Sequence, residues 1–343
     1  MATAVTTWDE RLEELHGLPP GGFGGTFDDW LAALHPDDRD ECLRRVEDAI
    51  DRRGPYVLLH RTTWPGGSVH WIECRGRVVV DDAGQPVGTI GVALDVTERE
   101  RHRAIVAAEL DEKDDLLTSL QQALLPSVLP SVPGVTVATR YVATRSNIGG
   151  DWYAVVPLPG GRLGLGIGDV AGHGLAAVAD MAGARFSLRA LAMGELDPVP
   201  VVTRLNEAVQ IFEDDALITA LYGIVDPVAR TWTFVNAGHC PALVRRPDGT
   251  VSTIESQPQP PLGVDAEYVR QCEELVPGSV LVLYTDGLVE RRREPMGDRV
   301  RRLADVVAAG PVGAEALADE VLRRLLGDAA NDDDVAVVVA SLD

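Results

Sequence analysis

The sequence predicts an α+β protein of two domains joined by a long helix. Three observations carry that expectation. The chain has 343 residues, more than one core usually organises. Many strand-like runs are closed by tight Gly and Pro turns, which argues for antiparallel sheets flanked by helices and against a parallel βαβ array. One long stretch, from Thr97 to about Leu125, contains neither Gly nor Pro and is rich in helix formers. With 45% hydrophobic and 24% charged residues, the composition is that of a globular protein with buried cores.

Residues 1–97 form the first domain in this reading. Asp37 to Arg53 carries Cys42, Leu43, Val46, Ala49 and Ile50 at helical spacing, with His35-Pro36 before it and Gly54-Pro55 after it. Three strands follow, Tyr56–Trp64, Val69–Val80 and Val87–Val96. Pro65-Gly66-Gly67 and Asp81-Asp82-Ala83-Gly84 join them into an antiparallel meander.

Residues 98–126 are the linker. Val106, Leu110, Leu117, Leu120 and Leu124 alternate at spacings of four and three, with Lys113 as one polar position. This predicts a short coiled coil that pairs two copies of the chain. The alternative is a helix packed on its own domain. Pro126, Pro130 and Pro133 end it.

Residues 127–343 alternate strands and helices. The strands are Val135–Ala143, Trp152–Leu158, Leu163–Val170, Thr219–Val225, Trp232–Ala237, Val280–Thr285 and Val335–Leu342. The helices are Leu175–Leu191, Val199–Phe212, Val300–Ala309 and Ala314–Leu326.

A net charge of −22 repels phosphate backbones and acidic lipid, so nucleic acid and membrane are not expected partners. No run approaches the ~20 apolar residues of a membrane span. The first residues lack a basic stretch followed by an apolar one, which predicts a cytoplasmic protein. Cys42, Cys74, Cys240 and Cys272 match no metal spacing and read as reduced thiols.

Four segments each place an aspartate at or beside the end of an apolar strand: IGGDWY (Asp151), LGIGDVAGHG (Asp169), VLVLYTDGL (Asp286) and NDDDVAVVVA (Asp333, flanked by Asp332 and Asp334). Buried carboxylates are costly unless paired, and no Lys or Arg sits in these segments. Unpaired carboxylates are the ligand set of hard divalent cations.

With NAGH between the second and third, these motifs in this order resemble the SpoIIE/RsbU branch of the metal-dependent protein phosphatase 2C superfamily. The resemblance runs from about Leu120, including LQQALLPSVLP, to the last residue. It implies an αββα sandwich and a Ser/Thr phosphatase using two Mn²⁺ or Mg²⁺ ions. Asp169 would bridge the metals with the Val170 carbonyl nearby. Asp151 would serve one metal, largely through water, and Asp286 and Asp333 the other. Asp334 would not be a ligand. Catalysis would run through metal-activated water, with no nucleophilic Cys or Ser. The implied substrate is a phosphorylated anti-sigma-factor antagonist of the STAS type, in a partner-switching pathway. Two rivals stand beside this: a catalytically inactive scaffold, and a hydrolase of small phosphate esters.

The family commonly reads GDWYD where this chain has Ala154, a change expected to touch only a loop or an auxiliary metal. Arg140 and Arg145 lie near the first motif and read as solvated surface. His173 and His239 read as residues that hold turns by hydrogen bonds, not as catalytic groups.

The first domain, from HPDDRDECLRRVEDAI to the closing DVTERE, resembles the C-terminal two-thirds of a PAS sensor with its first strand missing. No flavin-adduct cysteine or haem-ligand motif is present, so its ligand is unknown. Dimerisation would involve this domain and the linker.

Overall fold

The runs that the sequence marks as strands pair with their neighbours in register, in a computed structural model that describes residues 5–126, 128–144, 149–212, 216–255, 257, 259–291, 294–327 and 333–343. The chain divides into two compact units, 1–111 and 112–343.

The first unit contains α1 (Glu10–Leu15), α2 (Phe27–Ala33), α3 (Arg39–Arg52), β1 (Pro55–Thr63), β2 (Val69–Val80) and β3 (Pro86–Asp95). Both α1 and α2 are too short to show a period. A capping box starts α2: the Asp29 N–H donates to the Thr26 hydroxyl, and the Thr26 N–H donates to the Asp29 carboxylate. The sheet is antiparallel in the order β1-β2-β3, with Leu58 opposite Cys74 and Cys74 opposite Ala93. Leu34, Cys42, Val46 and Leu58 form the core beneath α3. At the edge, β3 leaves Ile90, Val92 and Leu94 exposed. Among the described residues no strand precedes α1.

A single helix, α4 (Thr97–Leu124), spans the boundary between the units. The second unit continues with β4 (Val135–Val142), β5 (Trp152–Leu158), β6 (Arg162–Val170), α5 (Leu175–Ala192), α6 (Pro198–Phe212), β7 (Ile218–Asp226) and β8 (Thr231–Ala237). Then come β9 (Ala242–Arg245), β10 (Val251–Ile254), β11 (Gln271–Glu274), β12 (Val280–Tyr284), α7 (Met296–Ala309), α8 (Ala314–Leu325) and β13 (Val335–Leu342). Two five-stranded antiparallel sheets result, β10-β9-β12-β13-β4 and β11-β8-β7-β6-β5.

Wholly apolar strands are needed here because each sheet is covered on both faces. Leu163, Leu165, Trp232 and Phe234 from one sheet meet Val244, Leu281, Leu283 and Val338 from the other. Helices α5 and α6 cover the outer face of one sheet with Met181, Leu188 and Leu205. Helices α7 and α8 cover the other with Leu303, Leu317 and Val321. This is the αββα sandwich that the resemblance implied.

Two expectations need correction. The five-residue seam on α4 is divided: Leu117 is buried in the α5–α6 core with Leu124 packed beside it, whereas Val106, Leu110 and Leu120 are exposed. Ala154 lies within β5, as expected, but the change there touches the core and not a loop. The residue is fully buried in the apolar layer with Trp152, Met181 and Leu188, so an aspartate there would place a carboxylate in the core.

Candidate metal centre

Each sheet delivers two aspartates to the same site. Asp151 immediately precedes β5 and Asp169 is the penultimate residue of β6, and Trp152 pairs with Gly168, so the two acids lie side by side. Asp286 opens the turn after β12, and Asp333 lies two residues before β13. These strands are also paired, with Tyr284 opposite Val337. Ligand oxygens of Asp151, Asp169 and Asp286 all fall within 4.8 Å of one another. Asp333 is beside this trio but outside it, with its Oδ1 accepting the Asp334 N–H at 2.8 Å. Val170, buried, ends β6 next to Asp169.

Two glycines permit the convergence. A Cβ on Gly287 would lie 1.9 Å from the Asp334 carbonyl oxygen, and one on Gly150 would lie 2.8 Å from the Val170 carbonyl oxygen. Any side chain at either place would push apart the segments that carry the acids.

Electrostatics mark the cluster as one that needs cations. Burial and the charge of Asp169 push the Asp151 carboxyl well above the usual carboxylate range, against the opposing hydrogen bond from Thr285. Asp169 is pushed up to about 7 by burial and by the charges of Asp286 and Asp333. Burial also raises Asp286, with Glu290 adding to it, and raises Asp333, with Asp286 adding to it. Among the described residues, no Lys or Arg pairs with Asp151, Asp169 or Asp286. A buried, mutually repelling carboxylate set of this kind fits divalent cations.

Asp334 behaves differently. It is buried and accepts from Gln121 Nε2 at 2.6 Å, Tyr141 Oη at 2.7 Å, Thr144 N at 2.7 Å and Gly149 N at 2.9 Å. Four donors are in place on its oxygens, and two of them tie Thr144 and Gly149, ahead of Asp151, to the start of β13. The same Gln121 amide donates to the Gly149 carbonyl at 2.9 Å, tying the end of α4 to that loop. Buried Arg185 of α5 adds a second tie, donating to the carbonyls of Leu124 and Tyr153.

Arg140 pairs with Glu315 and Asp319 on α8 and takes no part in the cluster. Arg145 lies outside the described residues. His239 is buried and held low, at about 4, by burial. Its Nδ1 contacts Thr219 Oγ1 at 2.9 Å, and its backbone is clasped by Asn236. It is therefore neutral and holds its turn. His173 is exposed. The guanidinium of Arg291 donates to the Gly287 and Glu290 carbonyls at 3.1 Å and shapes the turn after Asp286.

Sequence reasoning missed Thr285, Tyr141 and Gln121. Gln121 and Thr285 lay in quoted segments, LQQALLP and VLVLYTDGL, whereas Tyr141 carried no signal.

Comparison with known proteins gives this architecture its relatives. The Stage II sporulation protein E (SpoIIE) family matches residues 159–343, and the PAS fold family matches residues 5–93. Phosphoserine phosphatase RsbU of Bacillus subtilis is 26% identical over 209 residues, which are 60% of this chain and 61% of RsbU. Phosphoserine phosphatase RsbP of the same organism is 31% identical over 158 residues, 44% of this chain and 39% of RsbP. The chain thus spans less than two-thirds of the length of either relative. Among solved structures, the RsbU and RsbW domains of Rv1364c from Mycobacterium tuberculosis superpose with a TM-score of 0.59 at 28% identity. That match covers 64% of this chain and 63% of theirs.

Proposed function

Because this chain belongs to the SpoIIE family, with a PAS fold ahead of the family domain, we propose that it is a metal-dependent protein Ser/Thr phosphatase regulated through its N-terminal unit. The observation that carries the proposal is the meeting of buried Asp151 with half-buried Asp169 and Asp286 within 4.8 Å, with no basic partner among the described residues. Asp169, between the two sheets' contributions, would bridge the metals with the Val170 carbonyl beside it. Asp151 would serve one ion and Asp286 and Asp333 the other.

Bound there, two Mn²⁺ or Mg²⁺ ions would supply a hydroxide-like water at neutral pH and offset the charge of the phosphate. The chain's own residues do the rest. The four aspartates hold position on paired strands. Gly150 and Gly287 let the segments close. Asp334 and Gln121 fix the loop that presents Asp151.

The substrate in this reading is a phosphoserine or phosphothreonine on a STAS-type anti-sigma-factor antagonist. The names of the two relatives support a phosphoserine substrate, and the family resemblance supports the antagonist class. The working location is the cytoplasm, and no helix among the described residues is long and apolar enough to cross a membrane. The exposed Val106, Leu110 and Leu120 on α4 support a homodimer through the linker and the PAS-like unit.

The test is turnover of phosphorylated antagonist proteins with Mn²⁺, with Mg²⁺ and with chelator. Metal-dependent release of phosphate is expected. Binding without turnover in every condition would leave the scaffold reading in its place. Turnover of a chromogenic ester but of no phosphoprotein would leave the small-ester hydrolase.

A further inference from the structure

The most buried member of the cluster is also the one with a fixed orientation. Asp151 Oδ2 accepts a hydrogen bond from Thr285 Oγ1 at 2.6 Å. Thr285 is fully buried at the end of β12, directly before Asp286. A hydroxyl has one proton and two acceptor sites. The Ala336 N–H donates to Oγ1 at 2.8 Å, which fills an acceptor site from the side of β13. The competing acceptor for the proton, the Ala336 carbonyl, is at 3.4 Å and already receives the Thr285 N–H at 3.0 Å. The short contact therefore takes the proton, and the hydroxyl points at Asp151.

We infer that Thr285 is a positioning residue for the metal centre: its hydroxyl, oriented by the Ala336 N–H, commits Asp151 Oδ2 and leaves Oδ1 as the oxygen that serves a cation. One side chain thereby locks three segments, the loop before β5, the end of β12 and the start of β13, each of which carries a proposed ligand. Outer partners of this kind orient ligand carboxylates and fix how many oxygens each one offers. Without the hydroxyl, Asp151 loses the contact that holds it in place beside the like charge of Asp169. The inference rests on the two-metal reading of the aspartates.

The test is Mn²⁺ titration of the full chain by calorimetry, with melting in chelator to confirm that each variant is folded. Thr285→Val keeps the shape and removes the hydroxyl, and is expected to weaken Mn²⁺ binding about 10- to 100-fold. Thr285→Ser restores the hydroxyl and should restore the affinity. Should the valine variant not fold, Thr285→Ala replaces it. In an Asp151→Ala background the loss of the hydroxyl should have no further effect on affinity, which a merely structural role would not produce. Wild-type affinity in Thr285→Val, or an equal loss in the Asp151→Ala background, would overturn the inference. Asp169→Asn separates the two levels. If it abolishes binding while Thr285→Val does not weaken it, the metal reading stands and the role of Thr285 falls. If wild type and Asp169→Asn titrate alike, the metal reading falls and takes Thr285 with it.

Discussion

Asp334 and the Asp151–Asp169–Asp286 cluster lie at the same end of the sandwich and treat buried charge in opposite ways. Asp334 receives four hydrogen bonds from four separate groups, one from a side-chain amide, one from a phenol and two from the backbone. Among the described residues, the three clustered carboxylates have one another, the hydroxyl of Thr285 on Asp151 and backbone N–H groups of its own turn on Asp286. The difference teaches how to tell a structural acid from a ligand when both are buried. The structural acid has its donors in place. The ligand has lone pairs left over, and its neighbours are other acids.

The largest effect that would test this contrast is on turnover. Asp169→Asn and Asp286→Asn should each lower phosphatase activity by several orders of magnitude in saturating Mn²⁺. Neither should lower stability in chelator, because each removes one of several charges that repel one another. Turnover assays and melting on the same samples would check both halves. Full activity in either variant breaks the assignment.

Asp334→Ala should do the reverse in chelator. It strands buried donors, and a loss of about 3–5 kcal/mol in denaturant unfolding is expected. A variant as stable as wild type would show that Asp334 is not the brace it resembles.

The smallest effect is in pH. Asp169 is held up to about 7 in the folded chain, and its cluster neighbours are shifted in the same direction. Below about 7 and above the ordinary carboxylate value, the folded chain therefore binds protons that the unfolded chain has released. Stability in chelator should fall as pH rises through that window. Mn²⁺ binds the ionised carboxylates, so adding it should reverse the slope. Melting curves across that range, with and without Mn²⁺, would show it. His239, held low at about 4, adds a slope of the opposite sign below the ordinary imidazole value, so identical profiles in wild type and Asp169→Asn in chelator would mean the cluster does not repel as described.

Much of this was legible in the sequence. Strand-end aspartates beside glycine mark Asp151, Asp169 and Asp286, because those residue types together have few structural uses. The tight Gly and Pro turns pointed to antiparallel sheets flanked by helices, and the sandwich came from the family resemblance. The short strands β9, β10 and β11 were missed because four residues show no period. The seam on α4 misled for a physical reason: a leucine at heptad spacing looks the same whether it faces a second helix or, as Leu117 does, its own domain's core. Spacing alone does not separate the three adjacent aspartates before β13; in the sequence only the family resemblance set Asp334 apart as a non-ligand. Only the paired strands decide that Asp334 turns inward to four donors while Asp333 faces the cluster. The strand holding Ala154 was read correctly, but what its side chain packs against was not, because that face of β5 is covered by α5, which is distant in sequence.

Gln121 gives α4 something like a detent. One amide nitrogen meets both the Gly149 carbonyl and Asp334, so both contacts are made or lost together. Sliding α4 by one residue moves it about 1.5 Å and turns it about 100°. That step would swing Gln121 away and could offer Asp334 a leucine, Leu120, in its place. At this point Gly149 and Asp334 share one holder on α4, so a shift of the helix that moves Gln121 acts on both at once.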